Sequence, residues 1–162
     1  MRHLLFSLAI SVVSATQAMA LSCLPVDVPA SFQRAQEDSA QWIIVKGRLT
    51  FDESKLPETD WDHQELTPQK TRIPARFRGK SLTRAGFTNA FKTPLTLEVQ
   101  CAGPWCAGAV SGEYLAFVRK DAGGYTAIAA PCGGWLFANP TPTQLGQAQQ
   151  CLTGGPCEPE GF

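Results

Sequence analysis

Apolar and polar positions alternate with a period of two along much of this chain, the pattern of half-buried β-strands. In residues 72–78, Ile73, Ala75 and Phe77 share one face, while Arg72, Arg76 and Arg78 share the other. The stretch 95–101 repeats the pattern, with Leu95, Leu97, Val99 and Cys101 opposite Thr96, Glu98 and Gln100. Residues 41–51 (QWIIVKGRLTF) and 112–120 (GEYLAFVRK) are rich in β-branched and aromatic side chains and predict two more strands. The turn Asp121-Ala122-Gly123-Gly124 joins the second of these to a strand over 125–132 as a hairpin. Pro74 has no amide hydrogen to donate, so the 72–78 strand is expected at a sheet edge or to begin there. A Gly-rich, basic connection leads from it to residue 95.

Two helices flank these strands. The first is expected to start at Pro29 or Ser31 and to bring Phe32, Ala35 and Ser39 near one face. The second carries a full start signal: Thr141 as N-cap, Pro142 at the first helical position and Gln144 three residues after the cap. Leu145, Ala148 and Leu152 then recur at helical spacing and predict packing on the sheet. Residues 52–65 hold six acidic groups with Lys55 and Pro57, and read as an exposed, poorly ordered loop. No internal repeat or second domain is apparent. Five strands with a short helix at each end predict a mainly β domain, a small closed or partly closed barrel. A sandwich is the alternative, but so few strands barely furnish two sheets.

The first 20 residues, MRHLLFSLAISVVSATQAMA, change the picture. A short positive start, an apolar run from Leu4 to Val13 and a closing Ala18-Met19-Ala20 form the three-part pattern of a cleaved export signal. About 10 apolar residues fall short of the roughly 20 that a spanning helix needs. A lipid on Cys23 is the rival, but in Ala20-Leu21-Ser22 the leucine stands one position too late for that signal. The reading is a 142-residue single domain, 21–162, that is secreted or periplasmic and has no membrane span. All six cysteines (23, 101, 106, 132, 151 and 157) lie in it, an even number that implies three disulfides in an oxidising compartment. With 14 basic and 14 acidic groups, 44% hydrophobic and 17% charged residues, the chain is that of a folded domain. A net charge of zero excludes gross electrostatic capture of nucleic acid or anionic membrane.

Several segments together resemble the netrin-like module, the OB-fold domain shared with tissue inhibitors of metalloproteinases. They are Cys23-Leu24-Pro25, Phe32 and the strand Trp42 to Gly47; then Gly112-Glu113-Tyr114-Leu115-Ala116-Phe117; then Pro131-Cys132-Gly133-Gly134-Trp135. The resemblance spans about residues 23–152 and implies an OB-type barrel, a Cys23–Cys132 disulfide and a binding role. Family inhibitors begin with Cys-x-Cys, whose terminal amine and carbonyl chelate the protease zinc. Here Leu21 and Ser22 precede a single Cys23, and Gln33 stands where a further cysteine is expected. The likeness therefore carries the scaffold more than the inhibition of metalloproteases. The remaining cysteines fit it by spacing: CAGPWC (101–106) and CLTGGPC (151–157) each close a small loop, leaving Cys23 with Cys132.

Chemistry is sparse. CAGPWC echoes a thiol-disulfide oxidoreductase, but four residues between the cysteines instead of two do not place a thiol at a helix start. His63, the one histidine after the leader, sits in D-W-D-H-Q-E, an acidic stretch without the spacing of a preformed metal site. No nucleophile motif and no buried pair of carboxylates appears, so neither catalysis nor a cofactor is expected. One asymmetry stands out. Residues 66–97 carry seven basic groups and no acidic one. A basic strand edge at Arg72, Arg76, Arg78 and Lys80 is thus the candidate surface for a protein or other macromolecular partner, on a monomer. Phe77, Phe87 and Phe91 interleave with these cations as stacking platforms do, although alternation turns Phe77 inward and an exported chain seldom meets nucleic acid.

Overall fold

The five predicted strands and two helices form, several of them longer than the pattern alone shows, and two short strands that it does not show are added. They are α1 (Val28–Glu37), β1 (Gln41–Phe51), β2 (Lys70–Thr83), β3 (Gly86–Ala102), β4 (Trp105–Cys106), β5 (Gly112–Asp121), β6 (Gly124–Ala129), β7 (Leu136–Ala138) and α2 (Pro142–Thr153). The computed structural model describes residues 22–24 and 26–160; the expected export signal at 1–20 lies outside them. The fold is mainly β. β1 pairs with β2, β2 with β3, β3 with β6, β6 with β5, and β5 again with β1, which closes a ring of five strands. All these pairings are antiparallel except β3–β6. β4 and β7 are short additions, on β3 and β5 respectively.

The inside of the ring takes the inward half of each alternating strand. Val45, Leu49, Ile73, Phe77, Leu97, Val99, Ala116 and Val118 are buried there. A second cluster fills the space between the outer face of β1 and β5 and the two helices: Val28, Phe32, Ile44, Leu115, Phe117, Ala148 and Cys151. β5 is therefore covered on both sides, and its Tyr114–Val118 run is continuously apolar, as a strand without a wet face requires.

Four expectations are revised. Residues 79–94 are not a connection: they form the facing arms of a long β2–β3 hairpin turned at Arg84-Ala85. β2 is not an edge strand, because β1 and β3 flank it. β1 ends at Phe51 opposite Ala75, so Pro74 lies one step past the last β1 pairing and its missing N–H is not needed there. The first helix starts earlier, because the Asp27 side chain accepts from the Ala30 amide as N-cap. Val28 and Ser31 are buried with Phe32, whereas Ser39 falls beyond the helix and is exposed. The 52–65 loop is exposed but built. It holds a short 3₁₀ turn at Glu53–Lys55 and runs into another at Gln64–Leu66. The Thr59 hydroxyl donates to Pro104 O at 2.6 Å and the Ser111 amide donates to Glu53 at 2.7 Å.

Three disulfides join Cys23 to Cys132, Cys101 to Cys106 and Cys151 to Cys157. The sulfur of Cys23 is thereby occupied and has no free thiol for a lipid. The C-terminal tail folds back on α1, where the Gln33 amide donates to Cys157 O at 2.8 Å and Asp27 accepts from the Glu160 amide. No described helix is long and apolar enough to cross a membrane.

Candidate functional site

The ring closure turns the polar half of β1 to the same side as the polar halves of β2 and β3. Lys46 and Arg48 on β1 are exposed, as are Arg76, Arg78 and Lys80 on β2 and Lys92 on β3. The register sets them side by side: Lys46 opposite Lys80, then Arg48 opposite Arg78 with Lys92 beyond it, then Thr50 opposite Arg76. Directly opposite side chains lie roughly 5 Å apart, so six cations occupy a patch a few strands wide. Among the described residues only Arg48 of the six is ion-paired: its Nη1 is 3.9 Å from Glu113 Oε1 on β5, with both side chains more than half exposed. Such a pair is worth little against its neighbours, because solvent screens it. Like charges placed opposite one another cost stability. A sheet that places three such pairs together carries an unbalanced field that an anionic ligand would relieve.

Two glycines hold the rows together. Gly47 and Gly79 face each other between the Lys46–Lys80 and Arg48–Arg78 pairs. A Cβ on Gly79 would fall 2.0 Å from Lys46 O, and one on Gly47 would fall 2.3 Å from Arg78 O. Gly47 also has φ +153°, outside the range that side chains favour. β1 and β2 cross closely here because neither residue has a side chain. Beside this crossing, Arg76, Arg78 and Lys92 rim a surface cavity of about 300 Å³ with Phe77, Thr93 and Pro94.

Of the four sequence candidates, Arg76, Arg78 and Lys80 belong to this patch and Arg72 does not. Arg72 Nε lies 3.3 Å from Glu98 Oε2, with Lys70 Nζ 3.5 Å from Glu98 Oε1 and Gln100 donating to the same oxygen at 2.9 Å. Glu98 is 1% exposed. Burial pushes its carboxyl up, but the Gln100 hydrogen bond and the Lys70 and Arg72 cations outweigh that and hold it below its ordinary value. Next to it, hydrogen bonds from Arg119 and Thr126 hold the Asp121 carboxyl down as well. The Arg72 end of β2 is thus a neutralised network, and the free positive charge sits at the other end.

Sequence reasoning missed Lys46 and Arg48. Their alternation with Val45, Gly47 and Leu49 marks an outward face, but only the β1–β2 register shows that this face joins the basic one. The three phenylalanines are not platforms: Phe77 and Phe91 are buried edge to face with centroids 6.0 Å apart, and Phe87 packs toward the helices. CAGPWC forms a two-stranded hairpin with Cys101 opposite Cys106, and no cysteine is free. His63 Nδ1 is 3.2 Å from Asp60, but among the described residues no three His, Cys, Asp or Glu side chains are arranged to hold a metal ion. Comparisons with family models, curated proteins and solved structures return no match to this chain.

Proposed function

We propose that the chain is an exported, non-enzymatic binding module of the netrin-like OB-fold type, which holds a polyanionic macromolecule on the face of Lys46, Arg48, Arg76, Arg78, Lys80 and Lys92. The observation that carries this is the clustering of six cations, from three strands, of which only Arg48 is ion-paired among the described residues, in a chain whose net charge is zero. Five strands closed edge to edge are what an OB-type barrel needs, and in that fold strands two and three form the usual ligand face. Four of the six cations lie on β2 and β3. Three disulfides suit an oxidising compartment, secreted or periplasmic. Interleaved Arg and Lys at sheet spacing match repeated anions along an extended chain, such as a sulfated glycan or an acidic protein segment.

Retention on a sulfated-polysaccharide resin, read as the salt needed for elution, tests this reading. The double variant R78E/K92E is expected to elute at clearly lower salt than the parent, and R72E at nearly the same salt. Equal elution of all three, with unchanged unfolding midpoints, would remove the patch as the binding surface.

A further inference from the structure

The outer face of β1 and β2 changes character in one step along the ladder. Beyond the Lys46–Lys80 pair, the next outward residues are Ile44 on β1 and Leu82 on β2, both packed toward the helices. Here α1 and α2 stand off the sheet and leave a cleft of about 300 Å³, walled mainly by Phe32, Ala35, Trp42, Ile44, Leu82 and Leu152. That volume is at the small end for ligand sites, and its lining is mostly apolar, as such sites are. Trp42 is held by stacking on Trp135, with ring centroids 4.2 Å apart, and its indole N–H is buried without an acceptor among the described residues.

The cleft has a polarity. Two residues along each strand, about 7 Å away, Lys46 and Lys80 stand as an exposed pair of like charges. Gln36 and Ser81 are the polar residues of the lining.

We infer that the cleft takes the acyl chain of a single-chain fatty acid, with the carboxylate held by Lys46 and Lys80 and the tail among Ile44, Leu82, Trp42 and Leu152. The occupant follows from charge complementarity: an apolar slot with an exposed pair of lysines two residues along the same strands fits an anionic amphiphile, its head on the lysines. This site shares two lysines with the polyanion face but does not depend on that reading.

Calorimetric titration with dodecanoate, kept below its micellar concentration, tests the assignment. Binding is expected to be one to one, and at least tenfold weaker for dodecanol. From hexanoate to decanoate, affinity should rise about fourfold per methylene that enters the cleft. K46Q/K80Q should erase the preference for acid over alcohol, and A35W, which fills the slot, should abolish both. R78E/K92E should keep dodecanoate affinity while losing resin retention, so this site and the polyanion face fail separately. The assignment is overturned if dodecanoate does not saturate, if acid and alcohol bind equally, or if folded A35W binds like the parent. It is equally overturned if the protein sediments with phosphatidylglycerol vesicles yet ignores monomeric dodecanoate. K46Q/K80Q changes only exposed side chains, so it decides the matter even if A35W does not fold.

Discussion

Replacing Gly79 by alanine tests the close crossing of β1 and β2 and the basis of the cationic face. The new Cβ would stand 2.0 Å from Lys46 O and 2.7 Å from Gly47 Cα, both backbone atoms that cannot swing aside. Ordinary contact begins near 3.4 Å, so β1 and β2 would have to part by about 1.4 Å at this point. A shift of that size carries a ladder hydrogen bond of about 2.9 Å beyond useful length. Overpacking of this kind costs roughly 1–3 kcal/mol, and each hydrogen bond lost on either side adds about 1 kcal/mol. The expected penalty is about 3–5 kcal/mol, or a fall in Tm of roughly 10–20 °C for a domain of this size. Thermal unfolding followed by circular dichroism measures it. G146A is the internal control: a Cβ there meets nothing within 4 Å, in the interior of α2, so it should raise stability by about 0.5–1 kcal/mol. A G79A variant that melts within about 3 °C of the parent would show that β1 and β2 do not cross as described, and the tight pairing of the two cation rows would go with it.

Other consequences are open to simpler tests. Cys23 and Cys132 close a loop with a sequence separation of 109, so the double serine variant should lose about 4–5 kcal/mol in a denaturant titration. Removing Cys101–Cys106 or Cys151–Cys157, with separations of 5 and 6, should cost about 2 kcal/mol each; equal costs for all three would refute the loop-closure account. Glu98 and Asp121 both have folded-state pKa values below their ordinary ones, so the stability they contribute is full above about pH 4.5 and is lost as pH falls through the lowered values. Urea midpoints from pH 7 to pH 2 should therefore converge for the parent and E98Q; a gap independent of pH would count against the Lys70–Glu98–Arg72 network.

Much of the secondary structure was legible because most strands bury one face and wet the other, while β5, covered on both, shows as a continuous apolar run. Ile73, Ala75 and Phe77, or Leu95, Leu97 and Val99, announce themselves by parity, and the 41–51 strand has the same bounds in sequence and structure. Thr141, Pro142 and Gln144 mark the start of α2 because a helix terminus must satisfy its own amides locally, and the capping box forms as the residues suggest. The 79–94 arms were not legible. Their glycines and cations resemble a loop, and their strand character comes from pairing across a hairpin that extends well past the apolar stretch. The pairing of β2 on both sides was hidden for a related reason: Pro74 is disfavoured only where a neighbour wants its hydrogen, and that depends on where β1 stops. Glu98 reads as an outward polar residue in LTLEVQC, yet Lys70, Arg72 and Gln100 cover it completely.

By itself, the sequence determined that β2 and β3 are amphipathic, where α2 begins, and that six cysteines suffice for three bonds, since these depend on residue identity and local spacing. The tertiary structure decided which outward faces meet. Lys46 and Arg48 are 30 or more residues from Arg78 and Lys80, and no local pattern links them; the β1–β2 register and the glycine crossing do. The same register places Ile44 and Leu82 next to the paired lysines, so that one sheet surface passes from apolar to cationic within two residues. Charge that sums to zero along the chain is thereby sorted in space, with Arg72 neutralised at one end of β2 and Arg76, Arg78 and Lys80 left free at the other. Coulomb energy depends on distance through space and on solvent exposure, and neither is fixed until the ring closes.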